Sequence, residues 1–365
     1  MNWKFWKKNK GKKKKSAGRE WIDAIVFAVI AATIIRGLFI EAYTIPTGSM
    51  ERTLLVGDFL FVSKMSYGAR TPITPIAFPF AHHTIPIINT KAYWDGIQLP
   101  YYRLPGFGKV ERYDVVVFNY PMDADAPLNR PVDKRENYIK RCMDIPGDTL
   151  KLVDAQVFVN GKPADLPKMS QTQYYVKTDG SDFNPKALED IKVDIERANT
   201  DEYFMTMPRE SVKKIKAFSN VKTVTPILGD REDFDQQVFP YDSRFKWNQD
   251  NLGPIIIPKK GWTITLDSLT YPVYQRAITI YEANTLEVKG DDYYINGKKS
   301  NTYTFKMDYY WMIGDNRHNS IDSRFWGFVP EDHIVGKALF VWMSWDDTAS
   351  LFHKIRWERL LMGIH

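Results

Sequence analysis

The chain has 365 residues, an apolar content of 44%, a net charge of +6 and one cysteine, Cys142. This length allows one or two domains with a buried core, and a single cysteine excludes an internal disulfide framework. Nine Lys or Arg precede Glu20, so the remainder carries 41 basic and 44 acidic residues. An apolar run directly follows this basic tail, which favours retention at the cytoplasmic face of a membrane over nucleic-acid binding.

Residues 21–40 form that apolar run and predict a transmembrane helix. Twenty residues at about 1.5 Å each span about 30 Å, the thickness of a bilayer core. Asp23 and Arg36 lie within about one turn of its ends, where side chains reach the interface. A cleaved signal peptide needs a small-x-small site after the run, which residues 37–41 do not offer, and a buried core helix does not explain the basic tail. Because positively charged residues that flank a membrane helix stay in the cytoplasm, we expect everything after Glu41 to lie outside the cytoplasm.

Beyond this helix the chain is dominated by strand and turn patterns. Two short apolar segments each contain an Asn-Gly pair, which is typical of a tight β-hairpin; they are 157–162 and 293–298. Other runs rich in β-branched and aromatic residues predict strands at 59–64, 114–120, 138–141 and 338–343. We therefore expect a mainly β protein: an antiparallel β catalytic domain with one N-terminal transmembrane helix and a mixed α/β insertion.

The predicted insertion has a polar, mixed composition without a chemical motif, and two of its segments, 184–197 and 208–216, have a weak helical pattern. The resulting division of the chain is a basic cytoplasmic tail, an anchor, a first catalytic part, an insertion and a last catalytic part. Their ranges are 1–19, 20–40, 41–167, 168–288 and 289–365.

The stretch 43–50 places Ser49 between Gly48 and Met50, directly after the anchor. Gly48 lets the backbone turn sharply and lets another segment approach closely. A serine can act as a nucleophile only when a base takes its proton. A turn residue or a helix cap is the alternative for an isolated serine in a loop.

Lys140 is the candidate base because it lies in the short strand pattern 138–141. A lysine normally titrates near pH 10 and cannot serve as a base at neutral pH. Burial disfavours the ammonium form and lowers the pKa by several units, so a desolvated lysine can take the role of a histidine. An exposed strand lysine is the alternative.

A third stretch, 314–327, carries two Asp, two Arg, two Ser and two Asn between two glycines. It is either a solvated turn held by its own side chains or a buried polar network. In a network, Asp322 with Arg324 would hold the loop rigid, and a serine hydroxyl would orient a buried amine.

Three stretches together resemble the signature motifs of the bacterial type I signal peptidases, which are membrane-anchored Ser/Lys endopeptidases. They are 46–50, 138–148 and 314–324. The order of the motifs, the preceding anchor and the Gly57-Asp58 pair agree with the resemblance, which covers roughly 20–160 and 290–345. The insertion lies outside it.

The resemblance implies a role for each matching residue. Ser49 would attack the scissile carbonyl and Lys140 would act as the general base. Ser320 would orient the Lys140 amine, and Thr47 would donate its hydroxyl to the oxyanion beside the Ser49 backbone N–H. Asp322 and Arg324 would be structural supports. Shallow pockets for small substrate side chains would be lined by Ile45, Met50, Leu54, Tyr138 and Ile139.

Three positions depart from the family pattern. Thr47 stands where many members have Ser, which keeps the hydroxyl and adds a methyl group. Arg52 stands where Pro is common, and we expect little effect. Asp144 stands where a small residue is usual before the Pro-Gly pair. A carboxylate near Lys140 would favour the charged amine, so Asp144 is expected to point away.

The resemblance implies an enzyme that removes signal peptides from secretory preproteins after small-x-small sites. Its partners would be these signal peptides, the lipid bilayer and the secretion translocon, with no nucleic acid, cofactor or metal. It would span the bacterial inner membrane once, with its catalytic domain on the outer side.

Three rival functions remain. They are a non-catalytic, membrane-tethered binding protein on the same scaffold, a soluble Ser/Lys self-cleaving repressor-type protease, and a Ser-His-Asp hydrolase. The anchor and the third motif oppose the second, and no histidine lies in a motif matching the last.

Overall fold

The computed structural model describes residues 16–85, 88–350 and 353–365, so most of the predicted basic tail lies outside the described residues. Helix α1 is Ala17–Leu38. Its 22 residues correspond to about 33 Å of helix, none of its side chains is buried, and it is long and apolar enough to cross a membrane. The helix begins slightly earlier than predicted. It also ends earlier, because Ile40 already belongs to the first strand.

The main body is built on an eight-stranded sheet in which every neighbouring pair is antiparallel. In spatial order, seven of its strands are β1 (Ile40–Thr44), β2 (Asp58–Ser63), β20 (Ile334–Ser344), β3 (Val115–Asn119), β4 (Asn137–Asp144), β18 (Tyr309–Ile313) and β19 (Val329–Pro330). The eighth strand, β21 (Met362–Gly363), lies outside this order and pairs with β20. The β-branched run of β3 is buried at all five positions, while β2 buries every second residue. The mainly antiparallel β prediction is therefore confirmed.

Three smaller sheets complete the body. They contain β12 (Leu252–Ile256), β5 (Thr149–Val153), β6 (Gln156–Val159) and β7 (Lys162–Pro163); β13 (Thr263–Thr265) and β17 (Thr302–Thr304); and β14 (Leu286–Lys289), β15 (Asp292–Ile295) and β16 (Lys298–Lys299). Both predicted Asn-Gly hairpins are present. Each has positive φ at both turn residues, as this type of tight turn requires. Helices α4 (Thr270–Arg276) and α5 (Ser323–Trp326) also belong to the body.

The apolar residues of the predicted insertion, 168–288, belong to two different clusters. A separate sheet contains β11 (Val221–Pro226), β8 (Gln171–Thr178), β10 (Glu202–Pro208) and β9 (Asp194–Ala198), accompanied by α2 (Pro185–Asp190) and α3 (Arg209–Ile215). Its apolar cluster runs from Tyr174 to Ile215. Buried residues from Val238 to Ile278 instead pack with Met143 and Leu150 in the body. The independent core therefore ends near 226, because the later apolar residues find their partners in the body.

Candidate active site

Ser49 lies in a short 3-10 helix, Gly48–Met50, that follows β1. The chain then turns back into β2, and the turn is closed by a bond from the Gly57 N–H to the Ile45 carbonyl. From the third motif, the Asn316 backbone N–H donates to the Ser49 carbonyl and the Asn316 side chain donates to the Gly48 carbonyl, both at 3.1 Å. These contacts fix the serine backbone on both sides.

Lys140 reaches this serine from the middle of the sheet. Its Nζ lies 2.7 Å from Ser49 Oγ and 3.0 Å from the Ile139 carbonyl oxygen. Burial lowers the pKa of the amine to about 8, although the carboxylates of Asp322 and Asp315 favour its charged form. With this pKa, roughly a tenth of the molecules carry a neutral amine at pH 7. At this distance a neutral amine can accept the serine proton.

The third motif forms a buried polar network around Asp322. Its carboxylate accepts bonds from the Gly314 N–H at 3.0 Å and from the Arg324 guanidinium at 2.8 Å. Burial alone would raise the pKa of this carboxyl group, but Arg324 and the hydrogen bonds bring it below its ordinary value. Asp322 therefore stays ionised, and its negative charge favours the ammonium form of Lys140.

Ser320 departs from its predicted contact. Its hydroxyl donates to Asp322 Oδ2 at 2.8 Å, and within the described residues Lys140 Nζ bonds only to Ser49 and Ile139. Ser320 therefore does not orient the amine directly, because the charged carboxylate two residues away takes its proton.

Sequence reasoning assigned no role to a second network that joins the motifs. Arg141 donates to both oxygens of Asp315, from Nε at 2.9 Å and from Nη2 at 2.7 Å. Thr53, just after the turn that carries Ser49, donates to Asp315 at 2.6 Å. The signal was available, because Arg141 directly follows Lys140 and Asp315 directly follows Gly314.

Gly314 has a steric role at the centre of the site. A Cβ at this position would lie 2.2 Å from Ser320 Oγ and 2.6 Å from the Ser49 carbonyl oxygen. No real side chain tolerates such distances, so the third motif and the turn that carries Ser49 can approach this closely only at a glycine.

Thr47 precedes the short helix and is exposed. It occupies the capping position of that helix, but its side chain makes no capping hydrogen bond. The hydroxyl is therefore not used to hold the turn.

The five predicted pocket residues fall into two groups. Ile45, Met50 and Leu54 belong to the core beneath the site, and Met50 and Leu54 are 0% exposed. Tyr138 and Ile139 are half-buried and keep accessible surface, and the Tyr138 ring stacks on Tyr120 with centroids 4.2 Å apart. In this structure Met50 and Leu54 cannot contact a substrate, because the turn that carries Ser49 folds over them.

Two of the family departures have clear surroundings. Asp144 is 0% exposed, and neither of its carboxylate oxygens has a hydrogen-bond partner among the described residues. Burial raises the pKa of this carboxyl group well above its usual range, and the nearest charges belong to Asp148 and Arg112. Asp144 is not among the charges that act on Lys140. Arg52 forms an ion pair with Asp194 of the insertion.

The buried histidines are committed elsewhere. His318 accepts from the Gln173 N–H at 3.0 Å through Nδ1, and its Nε2 lies 2.9 Å from Asp250. His333 is bonded to Asp332 and Arg135 through its two ring nitrogens. Neither histidine has a free nitrogen with which to accept a proton from Ser49, which argues against a Ser-His-Asp arrangement.

A serine hydroxyl beside a buried lysine amine, on an antiparallel β body, is an arrangement suited to hydrolysis by a serine nucleophile with a lysine base. The family model described as "Signal peptidase, peptidase S26" matches residues 18–212 and 283–345, which include Ser49, Lys140 and Asp322. The chain belongs to this family and is a hydrolase of the signal peptidase class.

Individual relatives agree along most of the chain. Signal peptidase I of Buchnera aphidicola subsp. Acyrthosiphon pisum is 29% identical over 87% of this chain and 72% of its own length. Signal peptidase I of Pseudomonas aeruginosa is 25% identical over 88% of this chain and 70% of its own. Signal peptidase I of Rickettsia massiliae is 25% identical over 93% of this chain and 87% of its own length.

Proposed function

We propose that this protein is a membrane-anchored serine endopeptidase that removes signal peptides from exported precursors, using Ser49 as nucleophile and Lys140 as base. The observation that carries the proposal is the 2.7 Å contact between Lys140 Nζ and Ser49 Oγ. A buried amine with a pKa of about 8 is the kind of base that activates a serine near neutral pH.

The chemistry follows from this pair. Neutral Lys140 takes the Ser49 proton as Oγ attacks the scissile carbonyl, and the resulting ammonium then protonates the leaving amine. The signal peptide remains as an ester on Ser49. Lys140 next takes a proton from a water molecule, whose oxygen attacks the ester carbonyl. The Lys140 ammonium then returns this proton to Ser49 Oγ as the ester bond breaks, which releases the signal peptide and restores the neutral amine and the serine hydroxyl. Asp322 and Asp315 favour the transient ammonium, since their charges act on Lys140.

Two donors would stabilise the oxyanion of each tetrahedral intermediate. The Ser49 N–H lies at the start of the short helix, where backbone amides have no partner within the helix. The Thr47 hydroxyl is exposed and free of a capping bond. Such preorganised donors usually make a large contribution to catalysis.

The surroundings suit small substrate side chains in an extended peptide. Met50 and Leu54 fill the space under the site, so pockets bordered by Tyr138 and Ile139 have little depth, which favours cleavage after small-x-small sequences. Strand β1 ends the sheet order, and an extended precursor could add to such an edge with alternate side chains entering pockets.

Helix α1 would anchor the enzyme in the bacterial inner membrane, in contact with the bilayer and near the secretion translocon. The nine positive charges before Glu20 favour a cytoplasmic amino terminus and an outward catalytic body. Protease added to spheroplasts should then digest the part after Glu41 and spare the amino-terminal tail. Protection of the body would reverse this topology.

The decisive experiment measures cleavage of a purified precursor with a small-x-small site. Ser49→Ala and Lys140→Ala should each lower the rate by roughly 10⁴-fold or more, and the double variant should lose no more than either single one, because the pair acts as a unit. Lys298→Gln, an exposed lysine of β16, is the matched control. Substantial activity in folded Lys140→Ala would refute the assignment of the base.

A further inference from the structure

A cavity of about 300 Å³ lies where α1 meets the body. Thr33, Arg36 and Gly37 of the last turns of α1 form one side, and the loop 70–82 forms the other. Tyr43 of β1 and Lys134 also line it. The cavity therefore lies beside the end of the proposed anchor and outside the catalytic contact.

Basic groups outnumber acidic groups in this cavity. Its lining contains Arg36, Lys64, Arg70 and Lys134 against two carboxylates, Glu41 and Asp133. Glu41 is shared between two of the cations, at 2.6 Å from Arg36 Nε and 2.9 Å from Lys64 Nζ. One carboxylate therefore serves two cations, and only Asp133 remains for the other two.

Asp133 does not hydrogen bond to either of them. Its oxygens accept from the Thr74 N–H at 2.9 Å and the Thr74 hydroxyl at 2.8 Å, and Lys134 Nζ lies 4.0 Å from the carboxylate. The Arg70 guanidinium donates to two uncharged groups, the backbone carbonyl oxygen of Asp332 and the side-chain amide oxygen of Asn119. Burial lowers the pKa of both Lys134 and Arg70 despite the attraction of Asp133. The buried Lys134 and the half-buried Arg70 thus face the cavity without a hydrogen-bonded anion among the described residues.

The rim of the cavity is apolar on the side of the loop. Phe78 and Phe80 line it and are 57% and 55% exposed, and neighbouring Ile76 is 49% exposed. Exposed apolar patches mark sites of interaction with proteins or membranes, and this one lies beside the end of the proposed membrane helix. A charged interior with an apolar rim suits a molecule that has an anionic head and hydrocarbon tails.

We propose that this cavity binds the phosphate headgroup of an anionic membrane lipid, with Lys134 as the principal contact and the acyl chains lying along α1 and Phe78. The inference rests on the anchored arrangement in the proposed function. Because Tyr43 belongs to the strand that leads to Ser49, a segment of the precursor is the rival occupant. The excess of two cations favours the lipid, since a neutral peptide would leave Lys134 with only the Asp133 carboxylate, 4.0 Å from its Nζ.

The test uses the full chain in detergent, with phosphatidylglycerol or phosphatidylcholine of matched acyl chains, and counts retained lipids by native mass spectrometry. Wild type and Lys298→Gln should retain phosphatidylglycerol in preference to phosphatidylcholine. Lys134→Gln should reduce this retention roughly fivefold, the effect of one basic residue near an anionic lipid surface. Lys134→Arg should preserve it. If the Gln variant does not fold, Lys134→Met, which keeps the aliphatic stem, replaces it.

Equal retention by all folded variants would overturn the proposal. Displacement of the lipid by inorganic phosphate at matched ionic strength would reassign the cavity to a free anion. A raised KM for the precursor in Lys134→Gln, with phosphatidylglycerol retention unchanged, would reassign the cavity to the precursor, whereas we expect this variant to lose lipid and keep its KM. Lipid retention needs no cleavage and should persist in Ser49→Ala, so an inactive wild type would contradict the proposed function and leave this test intact.

Discussion

The catalytic centre and the insertion at 171–226 are held together in different ways. In the centre, buried charged and polar side chains distant in sequence bond to one another, as Lys140 does with Ser49 and Arg141 with Asp315. In the insertion, neighbouring strands and helices enclose an apolar cluster of their own, with Met205 at its middle. Long-range polar contacts fix the position of individual atoms, whereas apolar packing only needs volume to be filled.

The two regions meet along a narrow seam. The Gln171 N–H donates to the Asp315 carbonyl, the Arg317 N–H donates to the Gln171 carbonyl, and the Arg317 side chain bonds to Ser170. Arg52 adds an ion pair with Asp194. The third motif therefore contacts the insertion on one side and the turn that carries Ser49 on the other. We expect changes in the centre to have large effects on rate or stability and changes at the seam to have small ones.

The largest effect on stability should come from breaking the Arg141–Asp315 pair. Arg141→Met leaves a 0% exposed carboxylate without its bidentate partner, which should lower the free energy of unfolding by about 3–5 kcal/mol. Denaturation of the full chain in urea checks this value. The double variant Arg141→Met with Asp315→Leu removes both charges and should recover part of the loss. A cost below about 1 kcal/mol for Arg141→Met would mean that the network does not hold the motifs together.

This pair also marks what sequence can and cannot predict here. Local signals were reliable: β-branched runs became strands, and both Asn-Gly pairs became hairpin turns. The family motifs named Ser49, Lys140 and Asp322, which the structure brings together. Side-chain directions were less predictable, because the choice of Ser320 between Lys140 and Asp322 depends on a fold in which all three converge.

The same limit applies to burial. Met50 and Leu54 were expected to line pockets, but the turn that carries Ser49 folds them into the core. The end of the insertion was placed at 288 because polar composition continues to that point. Composition does not reveal that Phe239 and Tyr274 pack against the body.

Removing the Thr47 hydroxyl should change the rate of cleavage and leave the stability of the protein unchanged. Thr47→Val keeps the branched shape and removes only the hydroxyl, so kcat should fall by about 10²–10³ if this donor contacts the oxyanion. The melting temperature should not change, because the side chain makes no capping bond. Thr47→Ser should retain most activity. Equal rates for Thr47→Val and wild type would leave the Ser49 N–H as the donor.

The pH profile of cleavage should also separate the two regions. In the proposed mechanism Lys140 acts as a base only when neutral, and burial lowers its pKa to about 8. The value of kcat/KM should therefore rise about tenfold per pH unit below pH 8 and level off above it. Met205→Leu, in the core of the insertion, should leave the midpoint in place. A midpoint near 10, the ordinary value for lysine, would show that the amine is not desolvated in the working enzyme.

The smallest effect is expected at the seam, where Arg52 pairs with Asp194. The two side chains are 19% and 49% exposed, and partly exposed ion pairs contribute about 0–1 kcal/mol. Arg52 also has a φ of 73°, a conformation that glycine adopts without strain. Arg52→Gly should therefore offset the lost ion pair through a relaxed backbone, while Arg52→Ala removes the pair and keeps the strain.

A double-mutant cycle between Arg52→Ala and Asp194→Ala, measured in both unfolding free energy and kcat/KM, should give a coupling below about 1 kcal/mol. A coupling of about 3 kcal/mol in kcat/KM would place the insertion within the catalytic machinery, because an ion pair at the seam would then be controlling the position of Ser49, three residues before Arg52.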